Sequence, residues 1–101
     1  MTLPKTAQEL QQILEQRNLY PWYAAANGTD PNDGYALRKE TDGWVVYSVG
    51  PGAIPNERRF SLEQDAVADL VERLWKHGFA HYVRDLRQDV SEAKRTDDDL
   101  G

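Results

Sequence analysis

The stretch from Tyr35 to Val49, YALRKETDGWVVYSV, constrains the fold more than any other part of the chain. Two runs rich in strand-forming residues face each other across Thr41, Asp42 and Gly43, which predicts an antiparallel hairpin. Its register matters, because a shift of one residue moves every side chain to the opposite face. A two-residue turn at Asp42 and Gly43 puts Tyr35 and Leu37 on the face of Trp44 and Val46. It strands Val45, Tyr47 and Val49 beside Arg38 and Glu40. A three-residue loop with Gly43 in the left-handed position instead collects Tyr35, Leu37, Val45, Tyr47 and Val49 on one side. That cleaner apolar partition favours the second register, and Trp44 then stands on the outer face with Ala36, Arg38, Glu40, Val46 and Ser48.

The flanking segments supply covers for this hairpin. Thr6 and Glu9 form a capping-box pattern ahead of Ala7, Leu10, Ile13 and Leu14, which predicts an amphipathic helix from about Ala7 to Arg17. Ser61 and Gln64 repeat that pattern ahead of Ala66, Val67, Leu70, Val71, Leu74 and Trp75, predicting a helix from about Leu62 to His77 that stops at Gly78. Phe79, Tyr82, Val83, Leu86 and Val90 recur at helical spacing and predict a third helix from about Phe79 or Ala80 to about Val90. The segment GPGAIPN, residues 50 to 56, reads as an irregular connector, and Arg58 to Phe60 as a short third strand. It is no phosphate loop, since the lysine and the following helix of the Walker pattern are missing.

The expected fold is therefore α+β: a three-stranded antiparallel sheet with the hairpin at its centre, covered by an N-terminal helix and one or two C-terminal helices. A chain of 101 residues has material for one core, which we place in residues 1–90. Residues 91–101 have almost nothing to bury and read as a polar, acidic, disordered tail.

Between Asn18 and Gly34, the residues Pro21, Asn27, Gly28, Pro31, Asn32 and Asp33 predict one long loop. Its aromatics Tyr20, Trp22 and Tyr23 have two readings. They plug an edge of the core, which is the ordinary use of aromatic side chains, or they anchor a partner.

The absence of cysteine excludes disulfides, thiol chemistry and cysteine-type zinc sites. None of Ser48, Ser61 and Ser91 lies in a nucleophile elbow, and the many carboxylates are not spaced so as to assign a general acid and base. His77 and His81 are four apart, but Gly78 lies between them and no third ligand is fixed beyond a distant option at Asp85, so we read them as surface or capping histidines. The expectation is a protein that is not an enzyme, without catalytic residues, cofactor or metal. Seventeen acidic against twelve basic residues give a net charge of −5. That charge disfavours a nucleic acid, whose binding is mainly cationic, and suits a basic protein partner or simple solubility. No run approaches the ~18 apolar residues of a membrane span and the N-terminus lacks a signal-like apolar segment, which points to the cytoplasm.

Two acidic groups stand out. Asp65, Asp69 and Glu72 lie opposite the apolar stripe of the second main helix, where Arg73 and Lys76 can pair with Asp69 and Glu72 on a solvated face. Asp30, Asp33, Glu40 and Asp42 lie in the long loop and around the hairpin tip. If the loop folds towards the hairpin, they share one surface with Trp22, Tyr23 and Trp44. Carboxylates for encounter and aromatics for affinity suit recognition of a basic protein.

The order helix, strand, strand, short strand, helix resembles the small immunity proteins of bacterial toxin systems. The likeness rests on Tyr35-Ala36-Leu37, on Gly43-Trp44-Val45-Val46-Tyr47, and on Phe60-Ser61-Leu62-Glu63 running into Ala66, and it covers about Tyr35 to Trp75. The resemblance implies a cytoplasmic antitoxin that binds one secreted toxin domain, often a basic nuclease, and covers or distorts its active site. The alternative is a small regulatory or scaffolding module, monomeric or homodimeric through the outer face of the sheet.

Overall fold

A computed structural model describes residues 3–51 and 56–86. Helix α1 spans Ala7–Gln16, as its apolar stripe predicts. The Thr6 hydroxyl accepts from the amide of Glu9 at 3.1 Å, while the Glu9 carboxylate accepts from the amide of Lys5 at 2.9 Å. The first bond satisfies a donor that the helix start cannot pair internally, and the second ties the residue before the cap to the same turn.

Helix α2 spans Glu63–Lys76. Its cap position is held by Leu62, which makes no side-chain capping bond, so Ser61 does not perform the role its spacing suggests. The first turn of α2 is used differently: Oε2 of Glu63 accepts from the amide of Ala7 at 2.7 Å and so caps α1. At the far end Gly78 takes a φ of +105°, and the amide of Phe79 donates to the carbonyl of Leu74 at 3.0 Å, the six-to-one bond of a Schellman stop. A third helix, α3, follows over residues 80–86, with Val83 and Leu86 fully buried. The expected helix end at Val90 and the expected tail lie outside the described residues.

The sheet differs from expectation. It has four strands in the order β1-β2-β3-β4: Ala24–Ala25, Gly34–Glu40, Gly43–Val49 and Arg58–Phe60. The α+β class holds, but β1 runs parallel to β2, so the sheet is mixed, and the long loop is interrupted by a strand. Two alanines carry no alternation of polar and apolar residues, which is the pattern by which a strand is recognised.

The hairpin register also departs from the sequence reading. Glu40 pairs with Gly43 and Leu37 with Val46, so the turn is Thr41-Asp42 and Gly43 is the first residue of β3. Tyr35, Leu37, Trp44 and Val46 therefore face the helices, with Leu37 and Val46 at 0% exposure and Trp44 packed against the same core. Trp44 is not on the outer face. A cleaner apolar partition misled because the outer face has a buried layer of its own: Ala36 and Val45 lie on it at 0% exposure.

Between sheet and helices the core unites Leu10, Leu14, Leu37, Val46, Leu70 and Leu74 with residues from the other elements. Among the described residues no helix is long and apolar enough to cross a membrane.

Candidate functional site

The seven residues of β2 separate the two ends of the hairpin by about 20 Å at roughly 3.3 Å per residue. That length divides the predicted site. Glu40, Asp42 and Trp44 belong to the turn end, whereas Asp33 precedes Gly34 at the opposite end, beside the segment carrying Trp22 and Tyr23.

At this second end the amides of Asn32 and Asp33 donate to the carbonyls of Pro21 and Trp22 at 3.2 and 3.0 Å. Asp33 is thus held next to Trp22. Of these three aromatics Tyr20 packs against the core, joined to Pro21 by a cis peptide; Trp22 is 53% and Tyr23 43% exposed. The edge-plug reading fits Tyr20 and not its two neighbours.

The exposed aromatics do not stand alone. The ring of Tyr23 lies 5.0 Å from that of Phe79, which lies 6.3 Å from Tyr82, and His81 stacks on Tyr82 at 4.2 Å. Phe79 packs on the core, while Tyr82 remains 39% exposed. The patch is held in place from both sides. The amide of Tyr23 donates to Leu19 at 2.7 Å, and Nη1 of Arg17 donates to the carbonyl of Tyr82 at 2.5 Å. The same guanidinium makes two 3.0 Å bonds to Asp85, tying the end of α1 to α3. Those bonds hold the Asp85 carboxyl below its usual range. Phe79, His81 and Tyr82 escaped the sequence reading as site residues because Tyr82 shares helical spacing with Val83 and Leu86, and only the packed structure separates the inward pair from the outward ring.

The outer face of the sheet carries a chain of polar contacts. The Tyr47 hydroxyl donates to Asp30 at 2.5 Å, and the guanidinium of Arg38 lies 4.9 Å from the Tyr47 ring centre. Arg38 donates to Glu40 at 3.3 Å, and Glu40 also pairs with Arg59, whose other nitrogen reaches Glu57 at 3.5 Å. Bonding to Arg59 holds Glu40 below the ordinary carboxylate range. Burial, reinforced by the bond to Asp30, pushes the Tyr47 hydroxyl up to about 12 from 10.0.

A test of this contact follows from proton linkage. As the pH rises from 10 towards 12, the unfolded chain loses the Tyr47 proton before the folded chain does, so the folded state binds more protons and its stability falls. Tyr47→Phe removes that contribution. Urea denaturation across this pH window is expected to show a shallower loss of stability in the variant, and an identical slope would rule out the hydroxyl as its source.

At the turn end, Asp42 is exposed, and Trp44 has the Lys39 ammonium 5.7 Å from its ring centre. The acidic residues of α2 are also rearranged relative to expectation. Asp65 is exposed, but the side chains of Asp69 and Glu72 are only 11% and 12% exposed. The expected pairs form, Arg73 with Asp69 at 2.9 Å and Lys76 with Glu72 at 3.8 Å, yet they line the flank of α2 facing β4 and not a solvated stripe.

His77 lies 5.4 Å from the Tyr35 ring, separated from His81 by the turn at Gly78. Among the described residues, no three His, Cys, Asp or Glu side chains are grouped so as to hold a metal ion.

The structure therefore brings Trp22, Tyr23 and Asp33 together and adds Phe79, His81 and Tyr82. It places Asp30 on the outer sheet face, Glu40, Asp42 and Trp44 at the far end, and Asp65, Asp69 and Glu72 along α2. Compared with family models, with curated proteins and with solved structures, the chain matches none of them.

Proposed function

We propose that this chain is an immunity protein, which binds and neutralises a secreted toxin domain of a bacterial toxin system. The observation that carries the reading is the aromatic patch of Tyr23 and Tyr82, exposed to water yet anchored on Phe79, with Trp22 exposed next to Tyr23 in the chain. Large aromatic side chains fixed before encounter lose little conformational freedom on binding, which is how a small interface gains affinity. Asp33 beside Trp22 and the net charge of −5 favour a partner with a basic surface, such as a nuclease. The ordering of the patch by backbone bonds and core contacts requires no catalytic group, in keeping with an inhibitor that acts by occupying a surface.

The test is protection. The reading expects a toxin domain to be encoded immediately upstream of this chain; its expression should arrest growth, and co-expression of the chain should restore growth and yield a one-to-one complex. Undiminished toxicity with both proteins present would refute the reading. A stable homodimer in light scattering, with no complex formed, would favour the regulatory or scaffolding module.

A further inference from the structure

A groove of about 510 Å³ runs between β4 and α2, lined by Arg58 and Phe60 from the strand and by Asp69, Arg73 and Lys76 from the helix. Strand β4 is an edge of the sheet and pairs only with β3 among the described residues. Among the described residues no strand occupies its second backbone edge, which is where another strand can add.

Arg73 sits in this groove with an unmet need. Its side chain is 8% exposed, and Nε donates to Asp69 at 2.9 Å. Nη1 is buried and has no hydrogen-bond partner. Asp69 also accepts from Arg58 at 3.1 Å, so one carboxylate is shared by two guanidinium groups. Arg58 is 63% exposed and hydrated, so the unmet demand at this site is that of Nη1 alone, a buried cationic donor that is costly until an acceptor completes it.

We propose that this groove binds an extended acidic peptide segment, which adds to the open edge of β4 as a fifth strand and places a carboxylate on Nη1 of Arg73. Strand addition supplies main-chain hydrogen bonds that any sequence can make, and the buried guanidinium supplies the choice of an acidic one. Phe60 offers an apolar wall for a neighbouring side chain. Asp65 and Glu72 also line the groove wall: Asp65 is exposed, so its repulsion through water is weak, and Glu72 is offset by Lys76 at 3.8 Å. This surface is distinct from the aromatic patch and does not depend on the toxin reading.

The experiment is a nuclear magnetic resonance titration of the full chain with two blocked pentapeptides of alternating valine and threonine, one with a central glutamate and one with glutamine there. The glutamate peptide should shift the amides of Arg58, Arg59 and Phe60 and the Nε signal of Arg73, and should bind about tenfold more tightly than its glutamine twin. Equal affinities, shifts confined to other parts of the chain, or no shift with either peptide at millimolar concentration would overturn the proposal. Arg73→Lys keeps the charge but not the planar fork, and should reduce the preference for glutamate to about threefold or less. The comparison of the two peptides on the unmodified chain decides the question even if that variant fails to fold.

Discussion

Gly34→Ala is expected to destabilise the protein by about 2–4 kcal/mol, lowering the melting temperature by roughly 10 °C or more. A Cβ built on Gly34 falls inside the carbonyl of Tyr23, a backbone group that cannot rotate away. That carbonyl accepts from the amide of Tyr35 at 3.1 Å, in the bond that opens the pairing of β1 with β2. Tyr23 cannot easily retreat, because its amide is bound to Leu19 and the adjoining carbonyl of Trp22 to Asp33. Relief therefore means pulling β1 from the sheet and uncovering Ala24 and Ala25, both at 0% exposure. Gly28→Ala is the control. Gly28 has a φ of +88° but open space around it, so its substitution costs only the backbone strain of about 1–2 kcal/mol. Thermal melts of the two variants should rank Gly34→Ala well below Gly28→Ala, and a Gly34→Ala protein as stable as wild type would disprove the close parallel pairing.

The helices were legible because their signal is local. Leu10 and Leu14, or Val67, Leu70, Val71 and Leu74, recur with the helical period and are among the buried residues of α1 and α2. The existence of the hairpin was legible for the same reason, but its register was not. The Asp42-Gly43 pair advertises a turn, whereas Gly43 is needed for close packing: a Cβ there would strike the carbonyl of Phe60 on β4. That requirement comes from a strand fifteen residues away and leaves no local trace. The wrong register then displaced Trp44, and with it the expected meeting of Trp44 with Trp22 and Tyr23. Strand β1 was invisible because two alanines show no pattern, and it is β1 that fixes where Tyr23 emerges beside Phe79. The shielding of Asp69 likewise depends on Arg58, a residue of another element.

The same geometry predicts where partner binding is concentrated. The double substitution Tyr23→Ala with Tyr82→Ala should leave the fold close to its original stability, since both rings are about two-fifths exposed and the core contact of the patch is made by Phe79. Removal of aromatic anchors at the centre of an interface commonly costs ~2 kcal/mol or more each. Loss of both should therefore weaken the toxin complex by about a thousandfold, taking each factor of ten as roughly 1.4 kcal/mol. The effect should appear mainly as faster dissociation, because encounter depends on charge and the substitutions change none. Trp44→Ala offers the contrasting outcome: Trp44 packs against the core beneath the helices, so its removal should lower the melting temperature while the folded fraction still binds. Calorimetric titration together with thermal melts separates the two cases. A double variant that binds within threefold of wild type would move the interface away from the Tyr23 and Tyr82 end, and the charged outer face of the sheet around Arg38, Glu40 and Arg59 would then be the surface to test.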